Sequence, residues 1–489
     1  MIDRGVEARL PSGSMLIGGD WVDVTSEGRR EHVNPATGQV IASFALAGIA
    51  EVEAAVSSAR DASSDWRAWD PARRRDVLLR IASLLQEHDE ELGVLRTLET
   101  GAPLKRRRGR SMAGEYFTYF AGWVDKIEGR TIPVGPNALD YTLPEPYGVV
   151  AVLIPWNGPV VSAGMKVAPA LAAGNCVVLK PSELGPLAAL RFAEICLEAG
   201  LPAGVLNVIP GGAIAGDALV RNPGVGKVSF TGGARTGRAV MAAAAANLTP
   251  VTLELGGKSA ALVFADADLD VAVQIGVMTG VANLSGQGCV LPTRMLIEDT
   301  VYEEVERRVT AVARSLVVGD PFDAATQMGP VINATACTRI IETIERATAQ
   351  GEGRLLAGGR RLGGALAGGY FIPPTVFGGV DNESPLAQNE VFGPVLSLMR
   401  FASEGEAVAL ANGTRYGLGG FVFTADLTRA HRVAAALDAG WIGINGFPPM
   451  PANAPFGGVK QSGFGREGGA AGLDEFLRPK NVFVQLPAR

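Results

Sequence analysis

The chain has 489 residues, enough for roughly two to four domains. Apolar residues make up 47% of it and charged residues 19%, so large cores can be buried. A net charge of −6 leaves no basic footprint for nucleic acid, and four cysteines in so long a chain exclude a disulfide scaffold.

In chain order, the opening "MIDRGVEARLPSG" lacks the apolar core of a signal peptide. No uninterrupted apolar stretch is long enough to span a bilayer. The expected setting is soluble, reducing and cytoplasmic, without a membrane partner. "KRRRGR" (Lys105 to Arg110) reads as a solvated helix face rather than a phosphate patch, given the acidic whole. "GRTIPVGPNALDYTLPEPYG" (129–148) is turn-rich and alternating, like a hairpin outside the main sheet. From 148 to 255 the pattern becomes regular. "GVVAVLI" (148–154), "NCVVLK" (175–180), "GVLNVIP" (204–210), "GKVSF" (226–230) and "PVTLEL" read as strands. Helices are predicted over "VVSAGMKVAPALAAG", "PSELGPLAALRFAEICLEAG", "GGAIAGDALV" and "ARTGRAVMAAAAA". The second of these starts with proline and serine, carries Glu183 in its first turn and stops at Gly200.

Continuous apolar strands alternating with helices indicate a parallel sheet covered on both faces. Ligands bind at the carboxyl ends of such strands. Those ends carry "PWN", "KPSE", "PGG", "FTGG" and "LELGG", a plausible nucleotide crevice. The second half is also α/β, with "VLSLMRF", "GGFVFT" and "WIGIN" as strands and "TRAHRVAAALDAG" as a helix. "KNVFVQLP" (480–487) reads as a final strand.

Several of these turns carry chemistry. "FTGGARTG" follows a strand and opens a helix, so Gly232, Gly233 and Gly237 either let backbone approach a pyrophosphate or simply make a tight turn. In "KPSE", Lys180 and Glu183 either meet a ribose, with Glu183 repelling a 2′-phosphate, or cap a helix. Glu254 of "LELGGKS" is either exposed and idle or buried with a raised pKa, as a base needs. Asn157 of "PWN" is an oxyanion donor or a turn asparagine. Only His32, His88 and His431 exist, none in a glycine-rich motif, so a carboxylate or lysine is expected to carry any acid–base chemistry. No CxxC or Cys/His cluster suggests a metal. Cys289 in "SGQGCVLPT" is a packing residue or a nucleophile. Cys176, Cys196 and Cys337 lie in apolar strand or helical patterns.

"PWN", "KPSE", "FTGG", "LELGGKS", "GQGC", "EVFGPV" and "PFGGVKQSGFGRE" occur in the order and spacing of the NAD(P)-dependent aldehyde dehydrogenase superfamily, which the chain resembles from "IGGDWVD" to "KNVFVQ". The resemblance implies an α/β fold: a Rossmann-type cofactor domain (1–128 and 147–256), an α/β catalytic domain (257–465) and a β oligomerisation arm (129–146 and 466–489). It implies a homodimer or homotetramer. It also implies NAD, with NADP as a second option, and a small-molecule aldehyde as substrate. Cys289 matches the nucleophile, Asn157 the oxyanion donor and Glu254 the base that activates water. Lys166 and Glu467 match a proton relay. Ile154, Trp156, Lys180, Glu183, Gly232, Gly233, Gly237, Glu390 and Phe392 match cofactor positions; Gly233 stands where many members have serine.

The substrate tunnel matches Met112, Gly158, Val161, Ser162, Met165, Gly288, Val290, Pro448, Met450 and Phe456. Gly158 and Ser162 are small where many members are bulkier, and Gly288 is expected to widen the tunnel. No cation to hold a carboxylated semialdehyde and no aromatic cage for a quaternary ammonium is evident. A medium or bulky apolar aldehyde, aliphatic or aromatic, is therefore expected. The competing expectations are a CoA-acylating enzyme, whose members typically lack the base, and a non-catalytic binding or structural protein on the same fold.

Overall fold

Two mainly parallel sheets organise the computed structural model, which describes residues 10–104 and 111–487. The basic run 105–110 lies outside the described residues. In the first sheet, the parallel strands Leu206–Val208, Cys176–Pro181, Val149–Ile154, Lys227–Thr231 and Val251–Glu254 lie side by side in that spatial order. The winding reverses between Val149–Ile154 and Lys227–Thr231. Such a reversal opens a crevice beyond the strands' carboxyl ends. Val149–Ile154 and Cys176–Pro181 are buried at every position, which is why both read as unbroken apolar runs.

One edge of this sheet is extended by Met15–Ile17 and Asp20–Val22. The other is closed by Gly463–Phe464, antiparallel to Val251–Glu254. Gly463–Phe464 falls inside the segment expected to form the catalytic body, yet it hydrogen-bonds into the first sheet.

The second sheet runs Arg354–Ala357, Thr375–Gly378, Val395–Phe401, Arg294–Glu298, Ala260–Val263, Gly419–Phe423, Trp441–Ile444, parallel except at its first pair. Leu262, Leu296, Ile340, Phe377, Val395 and Val422 fill one of its faces. Thr131–Ile132, Ala138–Pro146 and Leu477–Gln485 form a separate antiparallel sheet. Its residues Leu139, Leu143, Phe483 and Val484 are exposed.

One predicted helix starts later than its sequence suggests. The strand continues to Pro181, a turn follows, and the helix is Leu187–Glu198, so Glu183 sits in the turn rather than in a first helical turn. The free N–H groups of that helix are met from elsewhere. Glu99 Oε2 accepts from Leu187 N at 2.7 Å and from Ala188 N at 3.3 Å. Glu99 is fully buried, and burial pushes its carboxyl up to about 8 against the pull of those two N–H groups. A cap that arrives from another helix, Asp89–Thr100, leaves no local signal in the sequence.

Candidate active site

A cavity of about 780 Å³ opens at the reversal point of the first sheet. Ile154, Trp156, Lys180, Glu183, Gly232, Gly233, Glu390 and Phe392 line it, and so do Asn157, Glu254 and Cys289. The helices Ala213–Arg221 and Ala234–Ala244 begin at Gly212 and Gly233, with no side-chain cap, and both glycines line the cavity. Two uncapped helix N-termini make a fitting cradle for a pyrophosphate. At Gly233 a Cβ would meet nothing, so the missing hydroxyl leaves open space there.

Gly237 does not reach this cradle. It lies inside the helix, its N–H is used by Gly233 O, and a Cβ would come 2.7 Å from the Leu255 side chain. Its small size serves helix–strand packing, which corrects the expectation that it contacts the phosphates. Gly232 gives its N–H to Glu254 O at 3.0 Å.

Lys180 is buried and donates to the carbonyls of Gly211 and Pro181; burial brings its pKa down to about 8, while nearby Glu183 pulls it up. Phe392 also lines the cavity, meets Trp156 edge-to-face with ring centroids 5.7 Å apart, and holds a left-handed φ of 49°. Glu390 Oε1 accepts from Gly257 N at 3.2 Å. A Cβ on Gly256 would collide with the Glu390 carboxylate, so the bare backbone of the first glycine of the "GG" pair is what seats it. Burial pushes Glu390 up to about 7, and Gly257 N–H, Lys258 and Arg339 hold it down.

Cys289 follows a tight, unusual loop. The wide π-helix Ile275–Ala282 ends, and Leu284, Ser285 and Gly286 adopt φ of 51°, 54° and 70°. Left-handed backbone at a non-glycine residue costs about 1–3 kcal/mol and persists only where surroundings enforce it. Gly286 also lies so close to Gly393 O that no side chain fits. Asn157 Nδ2 donates to Gln287 O at 2.9 Å, which places the amide beside the loop.

Of the four cysteines, all described as free, only Cys289 lines the cavity. Burial, with the carboxylates of Glu390 and Glu254, pushes its thiol up to about 12. Cys176 is pushed to about 12 by burial alone. Position, not acidity, singles out Cys289.

Glu254 ends its strand almost wholly buried, and neither carboxylate oxygen has a hydrogen-bond partner. Burial and then Glu467 push its pKa well above the ordinary carboxylate range, while Lys166 and Arg466 pull it down. Lys166 and Glu467 form a buried ion pair, and Lys166 Nζ donates to Ser229 Oγ at 2.8 Å. These groups converge although "LELGG", the helix Pro159–Ala172 and the "FGRE" turn are far apart in sequence.

The tunnel candidates divide. Gly158 caps the helix Pro159–Ala172 and a Cβ there would face open space. Val161 and Ser162 are partly buried on the next turn and Met165 on the one after is buried. Met112 opens the helix Met112–Ala121, capped by Ser111. Met450 O accepts from Tyr116 OH at 3.5 Å.

Phe456 packs on Trp441, ring centroids 6.0 Å apart, and its backbone pairs with Glu467. Val290 is turned into the core, so close to Gly419 that a Cβ there would come 2.7 Å from its methyl. A Cβ on Gly288 would come 2.8 Å from Leu291 Cγ, so its small size makes room for Leu291. Each of the two thus has one close packing neighbour, Gly419 for Val290 and Leu291 for Gly288.

Thr231, whose hydroxyl lines the cavity buried and unpartnered, was not singled out by the sequence. Its place inside "FTGG" was the available signal. Among the described residues, no helix is long and apolar enough to cross a membrane.

Residues 21–482 match the family model described as the aldehyde dehydrogenase family. Among solved structures, PnpE from Pseudomonas sp. WBC-3 is 40% identical, with a TM-score of 0.95 over 98% of this chain and 99% of that one. PnpE has also been crystallised with nicotinamide adenine dinucleotide. Betaine aldehyde dehydrogenase from Staphylococcus aureus, in complex with NAD+, is 37% identical, with a TM-score of 0.95 over 98% and 95% of the two chains. HpcC from Thermus thermophilus is 40% identical, with a TM-score of 0.94 over 98% and 94%.

Proposed function

Because the chain belongs to the aldehyde dehydrogenase family, we propose that it oxidises an aldehyde to the carboxylic acid with NAD+ as hydride acceptor. The observation that carries this reading is the meeting of Cys289, Asn157 and Glu254 in one cavity with two uncapped helix N-termini. NAD+, when bound, takes the hydride from the substrate carbon.

The chain's own residues do the rest. Glu254, unpartnered and with a raised pKa, accepts the proton of the Cys289 thiol as its sulfur attacks the carbonyl carbon. Asn157 holds the oxyanion of the resulting thiohemiacetal, using the second N–H of the amide that already donates to Gln287 O. Loss of hydride leaves a thioester on Cys289. Glu254 then takes a proton from water, whose oxygen attacks the thioester carbon; the acid leaves and the thiol is restored. Lys166 and Glu467 carry the proton onward from Glu254. Lys180 and Glu183 serve the adenine ribose, and Glu183 favours NAD+ over a 2′-phosphorylated cofactor. Ile154 and Trp156 flank the cofactor beside them, Gly232 and Gly233 receive the pyrophosphate, and Glu390 and Phe392 face the nicotinamide end.

The substrate we assign is a medium or bulky apolar aldehyde, admitted past Gly158, Ser162 and Met450. The open space at Gly158 supports it. The cofactor body is assigned to 1–128 and 147–256, the catalytic body to 257–465 and the arm to 129–146 and 466–489, with Gly463–Phe464 lent to the first sheet. The arm serves a homodimer or homotetramer. Four free cysteines accord with a reducing, cytoplasmic setting.

A kinetic panel from acetaldehyde through decanal, benzaldehyde, succinic semialdehyde and betaine aldehyde, run with each cofactor, tests substrate and cofactor together. Highest kcat/KM for decanal or benzaldehyde with NAD+ is expected. Highest kcat/KM for betaine aldehyde or succinic semialdehyde would overturn the substrate assignment. An acyl-CoA product in the presence of CoA would overturn the hydrolytic step.

A further inference from the structure

We propose that Gln287 is a positioning residue that sets the Asn157 amide and the Cys289 loop in register; this rests on the roles assigned to Asn157 and Cys289 above. Gln287 is buried and tied at both ends of its side chain. Its Oε1 accepts from Ile332 N at 3.0 Å, and its Nε2 donates to Leu284 O at 2.9 Å. Its backbone carbonyl is the acceptor of the Asn157 amide. A side-chain amide nitrogen has two N–H groups, so fixing one on Gln287 O fixes where the other points. The direction of the oxyanion donor is therefore set by the same residue whose side chain anchors the loop.

The loop needs anchoring. Leu284 and Ser285 are left-handed without being glycine, a conformation that relaxes unless it is held. Two ties hold it to one segment of the second sheet's side. Ser285 Oγ donates to Gly329 O at 2.8 Å, and Gln287 reaches Ile332 three residues further on. Asn333, the next residue, caps the helix Ala334–Ala349, so the anchor is itself part of a regular element. Gly286, between the two ties, presses on Gly393, the residue after Phe392. The nucleophile loop is thus fixed against the loop that presents Glu390 and Phe392 to the cavity. None of these ties touches the adenine end of the cavity, so cofactor affinity is carried elsewhere.

The test compares wild type, Gln287→Met, which keeps length and loses both side-chain bonds, and Ser285→Ala, which removes the other tie. The readouts are kcat, the isotope effect with C1-deuterated aldehyde, equilibrium NAD+ binding, and the rate of cofactor-free alkylation of Cys289 by iodoacetamide. The expected result for Gln287→Met is a fall in kcat of about 10–100-fold, less than loss of an oxyanion donor itself. The isotope effect should rise, because hydride transfer becomes slower than later steps, while NAD+ affinity stays within about twofold. Ser285→Ala should move the same readouts in the same direction, and serves if Gln287→Met does not fold.

A kcat and an alkylation rate within about twofold of wild type in both variants would overturn the proposal. So would a parallel collapse of kcat and NAD+ binding, which marks general damage. If wild type oxidises no aldehyde at all, the functional reading fails instead, and the alkylation rates alone judge whether the ties position Cys289.

Discussion

Glu254 feels two buried charges of opposite sign, the paired Lys166 and Glu467, and their signs fix the direction in which each moves its titration. Burial and the Glu467 carboxylate raise its pKa, while Lys166 lowers it. Its work as a base requires the ionised form, so kcat should rise with pH along a limb set by that raised pKa. Glu467→Gln removes a negative neighbour and frees Lys166 to act on Glu254, so the limb should move to lower pH. Lys166→Met removes the positive neighbour, so it should move to higher pH. Steady-state pH profiles of both variants check this; limbs that move together, or not at all, would exclude the electrostatic account. Asn157→Ala should lower kcat by about 10²–10³-fold with NAD+ binding retained, as loss of an oxyanion donor does elsewhere. At this scale the sequence was informative about identity and silent about state. The motif residues Cys289, Glu254 and Asn157 could be named from it. The raised pKa values could not, because they come from burial and from groups brought together only by folding; Lys166 and Glu467 were named as a relay from the resemblance, and their direct ion pair is what the structure adds.

At the scale of elements, the apolar runs of the first half locate their strands closely, since burial on both faces demands an unbroken apolar run. The failures have a common cause. The helix at Leu187 is capped by Glu99, and the loop before Cys289 is held by Gly329 and Ile332, all distant in sequence. A local pattern carries no trace of such partners.

Glu99 also has a thermodynamic consequence. Its folded pKa, about 8, lies above the ordinary 4.5, so the folded state holds this proton more tightly than the unfolded chain. Its stabilising contribution is full below about pH 4.5 and is lost as pH rises toward 8. His32, brought down to about 4 by burial, acts in the opposite sense, but only below its ordinary 6.5. Between pH 6.5 and 8 the Glu99 effect is therefore not masked by His32. Urea midpoints in this window should fall with pH for wild type and fall less steeply for Glu99→Gln, which keeps an acceptor for Leu187 N–H and cannot ionise. Equal slopes would show that Glu99 titrates as an ordinary carboxylate.

At the scale of the whole molecule, the sheet of Thr131–Ile132, Ala138–Pro146 and Leu477–Gln485 stands apart with exposed Leu139, Leu143, Phe483 and Val484. Apolar side chains on a small separate sheet favour pairing with another copy. Sedimentation velocity should show a dimer or larger assembly, and Phe483→Asp should shift it toward a smaller species; a monomeric wild type would remove the role proposed for the arm. The central claim concerns the joining of the two larger sheets, where Cys289 supplied from one side meets Glu254 from the other. It is tested most directly by mixing the Glu254→Gln variant with NAD+ and hexanal, quenching in acid and weighing the peptide that contains Cys289. Without Glu254 the enzyme should form the thioester more slowly, because the Cys289 proton then leaves to solvent, and fail to hydrolyse it. The expected result is a single burst of NADH matching the enzyme concentration, with the hexanoyl mass on Cys289. Continued turnover, or an acyl group absent from Cys289, would contradict the account.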